Sequence, residues 1–308
     1  MIQKMLIANR GEIAVRVIRA CREMDIETVA VYSSADKECL HVQLADHAVC
    51  IGPAPSAKSY LNKDALITAA LCTGCDAVHP GVGFLSENAD FAREVEKAGM
   101  FWIGPKPDTI EMLGDKVRAR ETAQKSGLPI TPGSAGAIKT KEQAIETANK
   151  CGYPVIIKAA SGGGGKGMRI VWKEADLAEN LSIASSEAEA NFADGTVYIE
   201  KYLSDPRHVE LQVVGDGAGG VAILGERDCS VQRNHQKLIE ESPSQAVSKA
   251  MYDSMCKGAQ KLFSSLNYCG AGTIEFLVSG DQFYFMEVNA RVQVEHPVSE
   301  MVTGTDII

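Results

Sequence analysis

Apolar and polar positions along the first hundred residues follow two different periods. The runs "KMLIA" and "ETVAVYS" are short and rich in aliphatic residues, as strands are, whereas "EIAVRVIRACREM" places its apolar residues three and four apart, as an amphipathic helix does. Farther along, "DAVHP" and "FWIGP" repeat the strand pattern after the helical segments "KDALITAALC" and "FAREVEKAG". This βαβ rhythm predicts a parallel, doubly wound sheet. Its first turn, "ANRGE", lacks the three glycines of a dinucleotide-binding fingerprint, so the usual ligand of such a sheet is not expected.

The rest of the chain shows two further patterns. A helix at "DKVRARETAQKSG" leads to "LPITPGSAG", whose Pro and Gly content indicates a boundary, and a compact module with a glycine loop follows. Later strands such as "HVELQVVG" and "GTIEFLVSG" are joined by short turns, which predicts a largely antiparallel sheet. We therefore expect an α/β protein with three units. They are residues 1–114, Rossmann-like; residues 115–203, a linker helix and the compact module with the glycine loop; and residues 204–308, the main body.

Composition and charge narrow the class of protein. The 308 residues are 45% hydrophobic and 23% charged with a formal net charge of −9, which favours a packed core and argues against binding to nucleic acid or to a membrane. The apolar run before Asn9 is too short for a signal peptide or a membrane span. Nine scattered cysteines fit reduced thiols in the cytoplasm. Cys72 and Cys75 form a CxxC pair that we interpret as structural, with a redox pair or a metal site as alternatives.

A glycine-rich loop, "SGGGGKG" at residues 161–167, separates "YPVIIKAA" from "MRIVW". Gly162, Gly164 and Gly167 satisfy the dinucleotide pattern, but the residues after the loop predict a strand where that site requires a helix. A Walker A loop is excluded because Lys166 is followed by Gly167 rather than by Ser or Thr. The loop is then either a hairpin flap whose backbone N–H groups close over phosphates, or a mobile surface loop.

Polar residues recur at every second position of "EVNARVQVEHP", residues 287–297. A solvated strand face would mix interchangeable Lys, Glu, Thr and Ser. This row instead has two carboxylates, two amides and a guanidinium: Glu287, Asn289, Arg291, Gln293 and Glu295. The composition favours a row of ligands, although a solvated edge has the same alternation. Because ligand geometry can require a turn, the strand need not continue beyond Asn289.

The preceding segment, "GTIEFLVSGDQFYFMEVNA", reads as a hairpin joined at "SGD". With an odd-length turn centred on Asp281, Glu275 lies directly across from Glu287, and Asn289 shares their face. Two facing carboxylates repel unless a cation lies between them, and this oxygen set suits Mg²⁺ or Mn²⁺ rather than zinc. A water-screened face is the alternative. Mg²⁺ held in this way usually needs substrate phosphates, which are also the ligand expected at a glycine flap.

With these segments assembled, the chain resembles the ATP-grasp enzymes and, within them, the biotin carboxylases. The resemblance covers essentially the whole chain, and "RDCS…HQK" with "EVNARVQVEHPV" is specific for the biotin-dependent branch. The other motifs occur in the family's order: "IANRGEIAVR", "IGPAP", "SYLN", "HPGVGFLSEN", "MLGDK", "YPVIIKA", "GGGGKGMR", "EKYL", "RHVELQV" and "GAGTIEF". The resemblance implies a Rossmann-like amino-terminal domain followed by an ATP-grasp fold with a glycine-rich lid subdomain. Two departures are Val82, where the family more often has Tyr, and Asn234, where it usually has a basic residue.

The resemblance also implies a nucleotide and metal site. Lys116 and Lys158 would neutralise the ATP phosphates, and Gly164 and Gly165 would belong to the closing flap. Glu200, Lys201 and Leu203 would line the adenine pocket, and His208, Gln232 and His235 would complete the nucleotide side. Glu275, Glu287 and Asn289 would hold two Mg²⁺ (or Mn²⁺) ions.

For the second substrate, the resemblance implies that Lys237, Arg291, Gln293 and the Val294 backbone cradle bicarbonate, with Glu295 as general base. The chemistry needs these residue types because bicarbonate must lose a proton before it attacks the γ-phosphate of ATP. Cations must therefore hold the anion beside a carboxylate base. The expected product, carboxyphosphate, would break down to CO₂ and phosphate, and the phosphate would deprotonate biotin.

What the family implies about the complete system is broader. "IGPAPS" with "SYLN" most resembles the biotin carboxylase subunit of bacterial acetyl-CoA carboxylase in fatty acid synthesis, with a biotin carboxyl carrier protein and carboxyltransferase subunits as partners and a homodimer as assembly. The amino-terminal part of a pyruvate or propionyl-CoA carboxylase, an ATP-grasp ligase for another acid and a non-catalytic nucleotide-binding fragment are the alternatives. The family continues beyond residue 308, so we expect a carboxy-terminal truncation and, at best, impaired biotin carboxylation.

Overall fold

The computed structural model describes residues 2–134, 136–159, 168–192, 194–234 and 236–308. Its first part is a five-stranded parallel sheet in the order β3-β2-β1-β4-β5, with helices connecting the strands. Asn62 and Asn88 cap α3 and α4 by accepting backbone N–H bonds, which explains where these helices begin. The elements are β1 (Lys4–Ile7), α1 (Gly11–Glu23), β2 (Glu27–Ser33), α2 (Leu40–Leu44), β3 (His47–Gly52), α3 (Lys63–Thr73), β4 (Ala77–His79), α4 (Ala89–Lys97), β5 (Phe101–Trp102) and α5 (Pro107–Gly114), with a 3₁₀ turn at Ser56–Lys58.

A small antiparallel sheet follows in the order β7-β6-β8. Helices α7 and α8 pack on it and share a separate core that includes Ala148, Ile157, Ala184 and Ile199. The order helix, strand, strand, helix, strand agrees with the sequence pattern, and the glycine loop at 160–167 lies outside the described residues. The elements are α6 (Lys116–Lys125), α7 (Lys141–Cys151), β6 (Val155–Ala159), β7 (Arg169–Val171), a 3₁₀ turn (Glu174–Asp176), α8 (Leu177–Phe192) and β8 (Val197–Lys201).

The last part is a five-stranded antiparallel sheet in the order β11-β10-β9-β12-β13. Its core is continuous with that of the first sheet, because Leu6 and Val78 belong to the same buried cluster as Phe276 and Phe285. The elements are β9 (Arg207–Asp216), β10 (Val221–Arg233), β11 (Gln236–Glu241), α9 (Lys249–Ser265), β12 (Cys269–Ser279), β13 (Gln282–Asn289) and α10 (His296–Thr303). Most of the candidate site residues lie on this sheet and at its edge, whereas Lys158, Glu200 and Lys201 lie on the small sheet and Lys116 on α6.

The turn "ANRGE", which lacks the dinucleotide glycines, binds another loop of the protein. Asn9 is buried, and its Nδ2 donates to the carbonyls of Pro80 at 2.8 Å and Val82 at 2.7 Å. Gly81 is in the left-handed region, with φ +65°, and a Cβ there would approach Asn9 Nδ2 to 2.8 Å. The first turn of the sheet therefore holds the loop that precedes α4, where a Rossmann enzyme would bind its cofactor.

The cysteines are all free thiols. In the CxxC pair Cys72 is exposed on α3, whereas Cys75 is buried just beyond it, and burial raises the pKa of the Cys75 thiol. Among the described residues, no helix is both long enough and apolar enough to cross a membrane.

Candidate active site

The two carboxylates of the predicted hairpin face each other. Glu275 on β12 is directly paired with Glu287 on β13 in the antiparallel register. The predicted turn centred on Asp281 is wrong: Ser279 pairs with Gln282, which leaves a two-residue turn, and the register then shifts between Glu275 and Phe276. Gly280, with φ +58°, supplies the positive φ that such tight turns require. The alignment of the carboxylates therefore depends on a bulge, which bends a strand and redirects side chains.

Beyond Asn289 the chain leaves the sheet. Strand β13 ends at this residue, and Glu295 occupies the N-cap position of α10, so the alternating row of the sequence becomes a strand, a loop and a helix start. Val292 and Gln293 are buried, whereas Val294 is 67% exposed. The expected turn after Asn289 is confirmed, and it brings Glu295 back over the sheet toward Lys237.

Lys237 on β11 is the centre of the site. Its Nζ donates to Glu210 at 2.5 Å, to Glu295 at 2.6 Å and to Glu275 at 3.2 Å. Burial alone would lower the pKa of Lys237, but the negative charges of Glu275 and Glu210 outweigh it and raise that pKa above its ordinary value. The lysine therefore remains a cation between three carboxylates.

The facing carboxylates have different environments. Burial favours the neutral form of Glu275, but the hydrogen bond from His208 and the charge of Lys237 outweigh it and hold the pKa of Glu275 well below its usual range. Burial and the charge of Glu275 raise the pKa of Glu287, and Lys116 offsets only part of this. The pair thus combines an ionised carboxylate with one whose ionisation is costly.

These carboxylates and Asn289 fit a divalent cation. Ionisation of Glu287 is unfavourable, and a cation between the two carboxylates would relieve their repulsion. The carboxylate and amide oxygens are the kind of ligand that Mg²⁺ takes. Asn289 donates from Nδ2 to Glu275 Oε1 at 2.8 Å, which places the amide beside the pair. Glu287, Asn289 and Lys116 also line a cavity of about 240 Å³ with Glu87. A cation, its water and a phosphate group are of the size that such a cavity holds.

A fully buried guanidinium lies beneath Lys237. The Arg227 side chain on β10 has no exposed surface, and its Nε donates to Glu210 Oε1 at 2.6 Å, while Nη2 donates to Gln293 Oε1 at 3.0 Å. Gln293 in turn donates from Nε2 to Glu275 Oε1 at 3.0 Å. Arg227, Glu210, Lys237, Glu275 and Gln293 thus form a closed ring of polar contacts, which fixes the orientation of the Gln293 amide.

Arg291 lies at the start of the loop after β13. Its Nη2 donates to Asn289 Oδ1 at 3.0 Å and its Nη1 to the Val292 carbonyl at 3.3 Å. Its Nε donates to Glu87, a residue of the loop before α4, at 2.9 Å. The guanidinium is therefore held against the edge of the sheet by the amino-terminal part of the chain.

His208 and Gln232 join the same site from β9 and β10. Gln232 Nε2 donates to His208 Nδ1 at 2.8 Å, and His208 Nε2 lies 2.7 Å from Glu275 Oε2. In this arrangement the imidazole proton is on Nε2 and points at Glu275. Asn234 follows at the turn after β10 with φ +51°, a conformation that Asn adopts more readily than Lys or Arg.

A second ionic cluster lies on the small sheet. Glu200 on β8 is buried and accepts from Lys158 Nζ at 2.6 Å and also from Arg120 on α6. Lys201 points elsewhere, since its Nζ donates to the carbonyls of Gly152 at 2.9 Å and Tyr153 at 3.1 Å. Leu203 is partly buried after β8. Lys158 and Glu200 are thus brought together, while the Lys201 side chain is used to hold the turn before β6.

Three residues of the predicted site, Gly164, Gly165 and His235, lie outside the described residues. Sequence reasoning missed four others that contact it, namely Glu87, Arg120, Glu210 and Arg227. The strand "HVELQVVG" showed Glu210 on the same alternating face as His208, which is the signal that could have identified it. Glu87 and Arg227 lie within the motifs "HPGVGFLSEN" and "RDCS…HQK", but nothing there indicates their partners, which are distant in sequence; Arg120 lies in no such motif.

Comparison with known proteins identifies the family of the chain. Residues 1–110 match the family model for the amino-terminal domain of biotin carboxylase, and residues 115–308 match that for the ATP-binding domain of the carbamoyl-phosphate synthase L chain. Biotin carboxylase 1 of Bacillus subtilis (strain 168) is 55% identical over 310 residues, which cover 100% of this chain and 69% of that protein. The chain belongs to the biotin carboxylase family. Biotin carboxylases are ATP-dependent ligases, and this is the enzyme class of the chain.

Further relatives include a much longer carboxylase and two solved biotin carboxylase structures. Pyruvate carboxylase of Staphylococcus aureus (strain Mu50) is 52% identical over 308 residues, but these cover only 27% of that protein. A biotin carboxylase from Campylobacter jejuni in a β,γ-ATP complex superimposes with a TM-score of 0.94 at 49% identity, over 100% of this chain and 69% of that one. The biotin carboxylase domain dimer of Hydrogenobacter thermophilus 2-oxoglutarate carboxylase was solved in complex with MgADP, ADP and bicarbonate. It superimposes with a TM-score of 0.92 at 46% identity, over 100% of this chain and 68% of that one. The ATP-grasp fold expected from the sequence is confirmed, and ATP is the nucleotide that these relatives support.

Proposed function

We propose that this chain carries out the ATP- and bicarbonate-dependent carboxylation of biotin on a biotin carboxyl carrier protein. The observation that carries the proposal is the position of Lys237, whose ammonium group contacts Glu295, the proposed base, and Glu275, a proposed metal ligand. A cation in this place can hold bicarbonate between the base, which removes its proton, and the ATP phosphate, which the bicarbonate attacks. The bicarbonate and MgADP in the Hydrogenobacter relative support this assignment of substrates.

On the nucleotide side, Lys116 and Lys158 neutralise the ATP phosphates. Glu275, Glu287 and Asn289 would hold two Mg²⁺ ions, which supply charge neutralisation at the transferred phosphoryl group. Glu200, Lys201 and Leu203 line the adenine pocket, and His208 and Gln232 complete the nucleotide side; Gly164, Gly165 and His235 keep the roles expected from the family. The contact between Lys158 and Glu200 supports this proposal, because the proposed phosphate ligand and a proposed adenine-pocket residue are then neighbours on one small sheet.

On the bicarbonate side, Lys237, Arg291, Gln293 and the Val294 backbone hold the anion, and Glu295 accepts its proton. The bicarbonate oxygen then attacks the γ-phosphorus, the bond to ADP breaks, and carboxyphosphate forms. Cleavage of its C–O bond gives CO₂ and phosphate; the phosphate takes the ureido N–H proton of biotin, and the nitrogen attacks CO₂. The ring through Arg227 supports this role of Gln293, because an amide with a fixed orientation is preorganised for an anion.

For the complete system, we propose the biotin carboxylase subunit of an acetyl-CoA carboxylase, acting in the first half-reaction of fatty acid synthesis. Its partners would be carboxyltransferase subunits, it would assemble as a homodimer, and it would be located in the cytoplasm. Its domains would be the units 1–114, 115–203 and 204–308. The Hydrogenobacter domain dimer supports the assembly. The 52% identity to pyruvate carboxylase favours a second candidate, a carboxylase whose domains share one chain.

The test is ADP release from Mg·ATP, with and without bicarbonate and free biotin. We expect bicarbonate-dependent release that Lys237→Ala abolishes, while Lys249→Ala, which removes an 86% exposed lysine on α9, leaves it unchanged. Release that Lys237→Ala does not alter would contradict the proposed anion site. Carboxylation of an acetyl-CoA carboxylase carrier protein, measured against a pyruvate carboxylase carrier domain, distinguishes the two candidate systems.

A further inference from the structure

A carboxylate of the amino-terminal part of the chain holds Arg291. Glu87 Oε1 accepts the backbone N–H of Ala290 at 3.1 Å, and Glu87 Oε2 accepts from Arg291 Nε at 2.9 Å. One carboxylate thus binds both the main chain and the side chain of the loop that follows β13. The Glu87 side chain is 40% exposed, and that of Arg291 is 21% exposed.

The loop that carries Glu87 is fixed at both ends. At its start, Asn9 binds the carbonyls of Pro80 and Val82, and Gly81 leaves no room for a side chain against Asn9. At its end, Asn88 Oδ1 accepts from the N–H of Phe91 at 2.8 Å and caps α4. Because the loop is fixed on both sides of Glu87, the carboxylate stays in place and determines the position of the Arg291 guanidinium.

Arg291 has one charged partner in the part of the chain that the structure describes, and this is Glu87. Its other two acceptors, Asn289 Oδ1 and the Val292 carbonyl, are neutral. A guanidinium is a planar fork, so a bond at Nε fixes its plane while both terminal nitrogens retain a second N–H for an anion. The contact at Nε is therefore the one that orients the fork without occupying all of its donors.

We propose that Glu87 is a positioning residue for bicarbonate, acting through Arg291. The inference rests on the proposed function, in which Arg291 binds that anion. The charge of Glu87 also opposes an incoming anion, so the two effects have opposite signs. Repulsion by a partly exposed carboxylate is screened and small, whereas an arginine displaced by about 1 Å can cost about a hundredfold in rate. Positioning therefore outweighs repulsion.

The test variant is Glu87→Gln, which keeps one acceptor oxygen but replaces the other with an NH₂ group, so that a donor faces one of the two N–H groups that Glu87 binds. Its control is Glu94→Gln, the same change at a carboxylate of similar exposure, 43%, on α4, which faces Lys63 at 3.7 Å. We expect Glu87→Gln to lower kcat/KM for bicarbonate by at least about tenfold, with KM for ATP within about twofold of the parent value. Glu94→Gln should leave both constants unchanged.

The opposing outcomes are separable. A lower KM for bicarbonate in Glu87→Gln would show that repulsion dominates, and an equal loss toward ATP and bicarbonate would show a merely structural role; either would overturn the inference. An unaltered Glu87→Gln beside a parent chain that responds to bicarbonate would overturn the inference alone. A parent chain whose ADP release ignores bicarbonate would overturn the proposed function and this inference together.

Discussion

Glu275 and Glu287 are paired directly across one hairpin, yet their pKa values are displaced in opposite directions. The difference comes from their neighbours. Glu275 accepts from His208 and Lys237, whereas Glu287 experiences burial and the charge of Glu275. The same residue type at two facing positions is therefore stabilised as an anion at one and destabilised at the other.

Exchange of each carboxylate for its amide should have opposite effects on stability. Glu287→Gln removes a costly charge, so we expect the free energy of unfolding at pH 7 to rise by about 1 kcal/mol. Glu275→Gln leaves Lys237 and His208 with a weaker partner, and we expect a loss of about 2–3 kcal/mol. Urea unfolding in metal-free buffer measures both, and each variant is the control for the other. Shifts of the same sign in the two variants would contradict the assigned environments.

The same two variants should respond to pH in a defined way. The pKa of Glu275 is lower in the folded state than the ordinary 4.5, so its stabilisation is present above that value and is lost as the pH falls through the folded pKa. The pKa of Glu287 is raised, so its ionisation penalty is present above the folded pKa and disappears below 4.5.

Melting temperatures of the two variants should therefore approach that of the parent chain from opposite sides as the pH is lowered from about 7 to about 3. The measurement is a series of thermal scans at constant ionic strength. Differences from the parent that stay constant over this range would mean that the effects arise from packing and not from charge.

The buried guanidinium of Arg227 should be intolerant of replacement even by lysine. Lysine keeps the charge but cannot reach Glu210 and Gln293 together, so we expect Arg227→Lys to cost about 3 kcal/mol in urea unfolding. Arg207→Lys is the control, because Arg207 is 49% exposed and pairs with Asp228 at 3.4 Å; its cost should stay below about 1 kcal/mol. Equal costs for the two variants would show that the ring around Arg227 does not contribute to stability.

Two glycines of one loop allow a matched test of the Asn9 contact. Gly81 and Gly83 have φ values of +65° and +60°, so alanine at either position costs about 1 kcal/mol in backbone strain. Only at Gly81 would the new Cβ meet Asn9, at 2.8 Å, whereas at Gly83 there is open space. We expect Gly81→Ala to lose about 1–3 kcal/mol more than Gly83→Ala in urea unfolding. Similar losses would mean that Asn9 can move aside.

The sequence predicted what depends on local periodicity. The facing of Glu275 and Glu287 could be predicted because alternation and residue type both indicated it. The end of the strand at Asn289 runs against the alternation, which continues to Glu295, and only the expected ligand geometry allowed for it. The turn was misplaced, since a two-residue turn with a bulge and a longer turn without one align the same carboxylates. Glu87 and Arg227 lie in motifs that the sequence analysis recognised, but their roles could not be found, because a motif gives no sign of a partner that only the tertiary fold brings near.

The contact between Glu87 and Arg291 joins residues 204 positions apart. A ribosome makes Glu87 long before Arg291, and the parallel sheet of β1–β5 needs no residue beyond Trp102 for its strand pairs. The apolar surface that includes Leu6 and Val78 is therefore covered only after the later strand that carries Phe276 has been made. We expect a nascent chain of about 200 residues to fold its first sheet while that surface is still open, and to be the form most in need of a chaperone during synthesis.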